Sequence, residues 1–143
     1  MEFNLITAGI ELIGTTIKSI NVENNIVDVE REAKRSFGLN INEPQFEKVD
    51  NDYFSKMTID FEIEVEQSDE QKCKMEFSLE GAFVSGQELD EDAFKQLVFV
   101  NGAAAIIGIA RGKIETITAN IFNNGKIVIP FVNVIEYYKS LSE

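Results

Sequence analysis

Histidine and tryptophan are absent from this 143-residue sequence, and Cys73 is its only cysteine. A lone cysteine cannot form an internal disulfide, and without histidine the usual zinc-ligand sets cannot be assembled. Ser–His and Cys–His nucleophile pairs are excluded for the same reason. The glycine-rich dinucleotide and phosphate-binding motifs do not occur either. We therefore predict no metal site, no cofactor and no catalytic residue, so the chain is expected not to be an enzyme.

Positive charge is scarce, with 13 Lys and Arg residues against 25 Asp and Glu residues and a net charge of -12. A surface of this sign repels phosphates, which argues against a nucleic-acid partner and leaves room for a basic protein partner. No uninterrupted apolar run approaches the ~20 residues that span a bilayer, and the start at Met1–Asn4 lacks the basic residues of a signal peptide. We expect a cytoplasmic protein without membrane insertion, folded as a single domain over residues 1–143.

Alternating apolar and polar residues give the clearest structural signal. Within Phe54–Glu66 every second residue from Met57 to Val65 is apolar, and the same alternation returns from Cys73 to Leu79 after a polar turn at Gln67–Glu70. A period of two predicts an antiparallel hairpin with one buried and one solvated face. The solvated face carries an acidic set, which we name the acidic face: Asp60, Glu62, Glu64, Glu76 and Glu80.

Weaker signals surround this hairpin. Thr15–Val22 predicts a further strand, and the polar stretch Val22–Glu32 predicts an exposed connection. Phe37–Phe46 alternates again, although Pro44 restricts that strand to an edge or an end. Gly81 predicts a bulge or bend where the hairpin ends.

The second half of the chain predicts helices. Asp90 or Asp92 can cap the first of them, and Asn101-Gly102 is expected to interrupt it. Ala103–Ile121 then carries isoleucines on several faces, so this helix needs more than one packing partner. Small residues recur at every fourth position, and they favour a subunit interface over packing on the sheet alone: Ala104, Gly108 and Gly112.

After a break at Asn123-Asn124-Gly125, an apolar segment leads to a last helix that Asn133 can cap. Two interpretations remain open for the apolar residues here and for Phe37 and Phe46 in the crossover segment, which connects the Thr15–Val22 strand to the hairpin. They cover the core, or they line an exposed groove, because large exposed apolar patches mark interaction sites. The groove candidates are Phe37, Phe46, Ile127, Ile129, Phe131, Tyr137 and Tyr138.

The order of these motifs resembles the SecB family of export chaperones. The resemblance is carried by Gly81-Ala82-Phe83, by Ile109-Ala110-Arg111, by the segment Gly125–Asn133 and by Tyr137-Tyr138. It implies an α+β fold with a four-stranded antiparallel sheet, helices on one face, and assembly as a dimer of dimers. It also implies that the groove candidates bind unfolded polypeptides and that the acidic face docks a SecA-type translocation motor.

Three classes of function follow from the residues and the resemblance together. We favour a chaperone for unfolded polypeptides, because SecB-like proteins wrap such clients around long apolar grooves. An adaptor or toxin–antitoxin chaperone with one dedicated protein partner is the alternative, since some SecB-like proteins serve such pairs. A small-molecule site between sheet and helices would need convergent polar groups in a closed pocket, which the sequence does not reveal.

Overall fold

The computed structural model describes residues 9–85 and 89–142, which form an antiparallel sheet with a long helix packed against it. The strands are β1 (Ile10–Asn24), β2 (Lys34–Ile41), β3 (Gln45–Val49), β4 (Asp52–Glu66) and β5 (Lys72–Ser85). Their order is β1-β5-β4-β2, and the short β3 pairs with the part of β4 that β2 leaves free. The predicted α+β class is confirmed, with a fifth, short strand added to the predicted four.

The predicted hairpin is β4 and β5, which pair in continuous antiparallel register from Phe54↔Val84 to Glu66↔Lys72. Opposite residues such as Phe61 and Phe77 share the face that points to the helices, and each of these two is 1% exposed. The alternation of the sequence therefore places its apolar row in the core, as predicted.

The predicted strand Phe37–Phe46 is divided in the structure. After β2 the side chain of Asn42 donates to the carbonyl of Thr58, and buried Pro44 separates β2 from β3. β3 then turns into β4 through two residues, of which Asp50 has a positive φ of 56°. Asp tolerates this left-handed conformation, which tight hairpin turns require.

Gly81 does not form the predicted bulge, because it pairs in register with Met57 on one side and Thr15 on the other. The irregularities of the sheet lie in β1, between Leu12 and Gly14 and between Ile17 and Ser19. Gly81 instead allows the long helix to approach the sheet. A Cβ at this position would lie 2.7 Å from Cδ1 and Cγ1 of Ile106, closer than atoms can pack.

The helices are α1 (Glu91–Leu97), α2 (Ala103–Ala119) and α3 (Val134–Leu141), and a π-helical turn (Val98–Gly102) joins α1 to α2. The predicted cap is present, since Asp90 accepts a hydrogen bond from the amide of Ala93 at 2.7 Å. The sequence predicts that Asn101-Gly102 interrupts the helix, and this is wrong. The two residues belong to the π turn, where the helix widens and continues.

Because these segments are continuous, residues Glu91–Ile121 form a helical run long and apolar enough, by length and composition, to cross a membrane. The sequence argument from short apolar runs missed this, since it counted only uninterrupted stretches. In the structure 39% of the most apolar 18-residue stretch of this run is buried. Ile106, Ala110 and Ile114 are each fully buried in the core cluster, and the core helices of soluble proteins satisfy the same membrane criterion.

We predict that Gly81→Ala destabilises the fold, because the added methyl group must displace the fully buried Ile106. Overpacking of this kind costs about 1–3 kcal/mol of unfolding free energy. The matched control is Gly38→Ala in β2, where no described atom lies within 4 Å of the new Cβ. Urea unfolding of both variants checks this, and equal midpoints would show that the helix does not depend on close approach at Gly81.

Candidate functional site

A continuous series of aromatic rings connects β3 with the helices. Phe46 in β3 lies 6.2 Å from Phe94 and 5.9 Å from Phe99, measured between ring centroids. Phe99 then contacts Tyr138 at 5.7 Å, and Tyr138 contacts Tyr137 at 5.6 Å, both nearly edge to face. Edge-to-face contacts are the favoured arrangement of aromatic pairs. We name these five rings the aromatic series, and it brings together Phe46, Tyr137 and Tyr138 of the predicted groove residues.

Phe99 and Tyr138 of the aromatic series form part of the wall of a concavity of about 560 Å³ between the π turn and α3. We name it the helix groove, and its size lies in the range of ligand-binding pockets, ~300–1,000 Å³. Apolar side chains dominate its walls, and polar groups lie among them. The lining residues are Gln96, Leu97, Phe99, Val100, Asn101, Ile135, Tyr138, Lys139 and Ser142.

The π turn contributes residues both to the core and to the helix groove. Val98 is fully buried, and Gly102 lies so near the sheet that a Cβ there would be 3.0 Å from the ring of Phe83. Phe99 and Val100 lie off this buried face, and both are half-buried at the groove wall. One signal for this is present in the sequence: the apolar run Leu97–Val100 is longer than one buried helix face can hold.

The hydroxyls of the two adjacent tyrosines differ in their surroundings. The hydroxyl of Tyr137 accepts a hydrogen bond from the backbone amide of Ile41 at 3.0 Å and so ties α3 to β2. The hydroxyl of Tyr138 is shielded from solvent and has no hydrogen-bond partner within the described part of the chain. Burial, with a smaller contribution from Tyr137, raises the pKa of Tyr138 to about 12. Tyr138 is therefore protonated at neutral pH.

Two predicted groove residues belong to the core of the chain. Ile127 is 3% exposed and Ile129 is 2% exposed. The buried hydroxyl of Thr118 explains this, because it accepts a hydrogen bond from the amide of Ile127 at 2.8 Å and donates to the carbonyl of Ile114 at 2.7 Å. The loop is thereby held against α2, and these two side chains are not available as exposed groove surface in the monomer.

Phe131, two residues further on, is 91% exposed. Its ring lies 4.0 Å from the guanidinium carbon of Arg111, a cation–π contact. The same guanidinium donates to the carbonyls of Ile129 at 3.2 Å and Pro130 at 2.9 Å. Arg111 therefore fixes the loop and supports an aromatic ring at the surface.

Phe37, the remaining groove candidate, lies apart from the aromatic series. It is half-buried in β2 and contacts Phe61 at 6.3 Å, which in turn contacts Phe77. It covers the sheet beside the helix layer. The structure therefore distributes the seven candidates over four surroundings: the aromatic series, the core, the loop held by Arg111, and the β2 edge.

The acidic face lies on the side of the sheet opposite the helices, as predicted for the solvated row. Glu62 and Glu76 are exposed and directly opposite each other on β4 and β5, a pairing of like charges that Lys74 offsets in part, since its Nζ lies 3.7 Å from the Glu76 carboxylate. Asp60 is less available, because its carboxylate accepts hydrogen bonds from Ser78 and Asn42. A second concavity, of about 590 Å³, lies on this side of the sheet and includes Ile13 and Ala82 in its lining.

The small residues of α2 lie on its free surface. Ala104, Gly108 and Gly112 are exposed, and no described atom lies within 4 Å of a Cβ built at either glycine. The neighbouring exposed positions Ala105 and Thr116 are also uncharged. This face of α2 is therefore smooth and apolar.

A solved structure has a fold similar to that of this chain. No family model matches the sequence, and no curated protein matches it. A SecB-like chaperone of Mycobacterium tuberculosis, solved in complex with a ChAD peptide from the HigA1 antitoxin, has a TM-score of 0.57 over 88% of this chain and 92% of its own. Its sequence identity is 10%. A protein of unknown function from Streptococcus agalactiae has a TM-score of 0.49 and 12% identity, over 85% of this chain and 97% of its own.

The first of these likenesses shows that the chain has a SecB-like fold. The predicted resemblance is confirmed at the level of the fold.

We predict that Arg111→Met loosens the loop that carries Phe131, because the variant loses both carbonyl hydrogen bonds and the support of the ring. Hydrogen bonds from a charged donor are worth about 1.5–3 kcal/mol each when buried, and partial exposure reduces this. Hydrogen exchange of residues 126–133 should accelerate. Lys113→Met on the same helix is the control, and equal acceleration in both variants would remove Arg111 from this role.

Proposed function

We propose that this chain binds unfolded polypeptides and holds their apolar segments in the helix groove. The observation that carries the proposal is the groove itself, an open apolar concavity of about 560 Å³ walled by Phe99, Tyr138 and Ile135. Ile135 is 53% exposed, which leaves apolar surface at the groove available to a client. The SecB-like fold supports the same conclusion, because one protein of that fold has been solved with a bound peptide.

Exposed apolar residues beyond the groove extend the surface available to a client. Phe131 is 91% exposed, Leu141 is 64% exposed and Val128 is 55% exposed. Unfolded chains offer apolar side chains at irregular spacing, so several weak contacts suit them better than one specific pocket. Contacts at separate sites on one molecule strengthen each other through effective concentration.

A dedicated protein partner is the second candidate function. It is favoured by the antitoxin peptide in the structure of the Mycobacterium tuberculosis neighbour. The two candidates differ in selectivity, because a general chaperone accepts unrelated unfolded chains and a dedicated chaperone accepts one.

Delivery of clients for export is a further element of the proposal. The acidic face would dock a basic segment of a SecA-type motor in the cytoplasm, and a cation from the partner would reduce the repulsion between Glu62 and Glu76 that remains beside Lys74. Such docking between exposed charges weakens as salt rises, because screening acts within ~8–10 Å at physiological ionic strength.

Assembly into a homo-oligomer completes the proposal. Besides the smooth face of α2, the edge strand β1 has exposed apolar side chains on the helix side of the sheet, since Ile17 and Ile20 pair with the buried Leu79 and Phe77. Ile17 is 38% exposed and Ile20 is 45% exposed. A second copy that covered both surfaces would gain about 25 cal/mol for each Å² of apolar area buried.

We predict that wild-type protein suppresses the aggregation of several unrelated unfolded proteins and that Phe131→Ser weakens this activity. Loss of one exposed aromatic contact should cost about 1 kcal/mol or slightly more of binding free energy, which corresponds to a roughly three- to tenfold lower affinity. Because Phe131 is 91% exposed and its described ring contact is the surface cation–π contact with Arg111, its replacement should lower thermal melting by no more than a few degrees. The assay is light scattering together with titration of reduced, carboxamidomethylated ribonuclease A, a permanently unfolded chain.

The matched control for this variant is Val27→Ser, since Val27 is 65% exposed and lies in the crossover segment. It should bind the unfolded chain like the wild type. A wild-type protein that holds none of the unrelated chains would contradict general chaperone activity and favour the dedicated partner.

We predict a homo-oligomer, most simply a tetramer of two dimers, whose mass falls when either apolar surface is blocked. Gly108→Leu should prevent close packing on α2, where the wild type has open space. Ile20→Lys should place a charge on the exposed side of β1. Sedimentation velocity at micromolar concentration measures both, and a wild-type monomer would contradict the prediction.

A further inference from the structure

Burial of the Tyr138 hydroxyl lowers the stability of the free protein, and no contact of this hydroxyl with the described residues compensates for that loss. The oxygen is shielded from solvent, and no described residue bonds to it. A buried polar group without a partner destabilises a fold by about the free energy of its lost hydration. Phenylalanine would preserve the ring contacts that Tyr138 makes with Phe99 and Tyr137. Packing alone therefore does not require a hydroxyl here.

A polypeptide bound in the helix groove has backbone polar groups that need hydrogen-bond partners there. An extended chain presents a backbone carbonyl or amide about every 3.3 Å, and each loses water when the chain enters an apolar groove. Such a group needs a partner inside the groove, or its desolvation opposes binding. Tyr138 is the residue of the groove wall that has both an aromatic surface and an unpaired hydroxyl within the described residues.

We infer that the Tyr138 hydroxyl donates a hydrogen bond to a backbone carbonyl of a polypeptide bound in the helix groove, an inference that rests on the proposed function. Tyr138 is then a binding residue that distinguishes a peptide backbone from a purely apolar ligand. Because the hydroxyl is enclosed in the free protein, the Tyr138 side chain must shift on binding, and the client replaces an unpaired buried group with a paired one.

The protonation of Tyr138 supports the assignment of donor and acceptor. Since burial raises its pKa to about 12, the hydroxyl keeps its proton throughout the neutral range and can donate. Ionisation is disfavoured in the folded state, so any stability that depends on the protonated hydroxyl is lost only as pH rises above 10 towards 12. Binding through this hydroxyl should therefore be independent of pH between about 6 and 9.

Tyr138→Phe tests the inference, because it should change stability and binding in opposite directions. Without the unpaired hydroxyl, the free variant should melt roughly 3–5 °C higher than the wild type, the shift expected for about 1 kcal/mol in a chain of this size. Its affinity for reduced, carboxamidomethylated ribonuclease A should fall about five- to tenfold, the loss of one net hydrogen bond. A structural defect at this position could not produce both effects.

Tyr137→Phe is the matched control, because the neighbouring hydroxyl already has a partner in the amide of Ile41. Although the sequence placed Tyr137 among the groove candidates, it is not one of the residues that line the helix groove, and its hydroxyl is bonded to β2. This variant should therefore melt lower than the wild type and bind the unfolded chain with unchanged affinity. The pair of variants thus separates a hydroxyl that stabilises the fold from one that serves the ligand.

A backbone probe locates the acceptor. We would use a ten-residue peptide of alternating leucine and serine with terminal lysines, and a series in which one amide at a time is replaced by an ester. An ester carbonyl is a weaker acceptor, so one replacement should weaken binding to the wild type and have no effect on binding to Tyr138→Phe.

Equal affinity of Tyr138→Phe and wild type for the unfolded chain would overturn the inference, whatever the change in melting temperature. An ester effect that persists in Tyr138→Phe would overturn it as well. Failure of the proposed function looks different, because the wild type itself would then bind neither the unfolded ribonuclease nor the peptide.

Discussion

The close contact between the long helix and the sheet is the constraint on which the rest of the structure depends. Gly81 on β5 and Gly102 in the π turn lack the Cβ atoms that would collide with Ile106 and Phe83. Because these two Cβ atoms are missing, one face of the helix can enter the core, where Ile106 is fully buried. The opposite face of the helix has no partner within the described chain, so the same contact that builds the core also leaves an apolar surface free.

The π turn lies where the helix contacts both the sheet and α3. Val98 and Gly102, four residues apart, are buried against the sheet, and Phe99 lies off that face and contacts Tyr138. π turns inside α-helices occur frequently at functional sites. The acidic face lies elsewhere, with Glu62 and Glu76 on the far side of the sheet. The helix groove and the acidic face are thus separated by the thickness of the sheet.

The sequence predicted the elements whose residues carry a local pattern. The β4–β5 hairpin follows from strict alternation, and the caps at Asp90 and Asn133 follow from side chains that accept a hydrogen bond from the third residue of each helix. Burial of Ile127 was not predictable, because apolar residues look alike in a sequence whether they cover the core or line a groove. The hydrogen bond from its amide to Thr118, nine residues away, decides between these two outcomes. Gathering of Phe46, Phe99 and Tyr138 into one series depends on tertiary packing, which no local pattern contains.

We propose that unfolded polypeptide occupies the helix groove, and site-specific photo-crosslinking tests this occupancy most directly. A photoreactive residue would replace Gln96 at the groove or, as the comparison, the exposed Asn21 on β1. Reduced, carboxamidomethylated ribonuclease A should crosslink through position 96 and not through position 21, and excess unlabelled client should abolish the product. Equal crosslinking at both positions, or none at position 96 while the client is bound, would contradict the account.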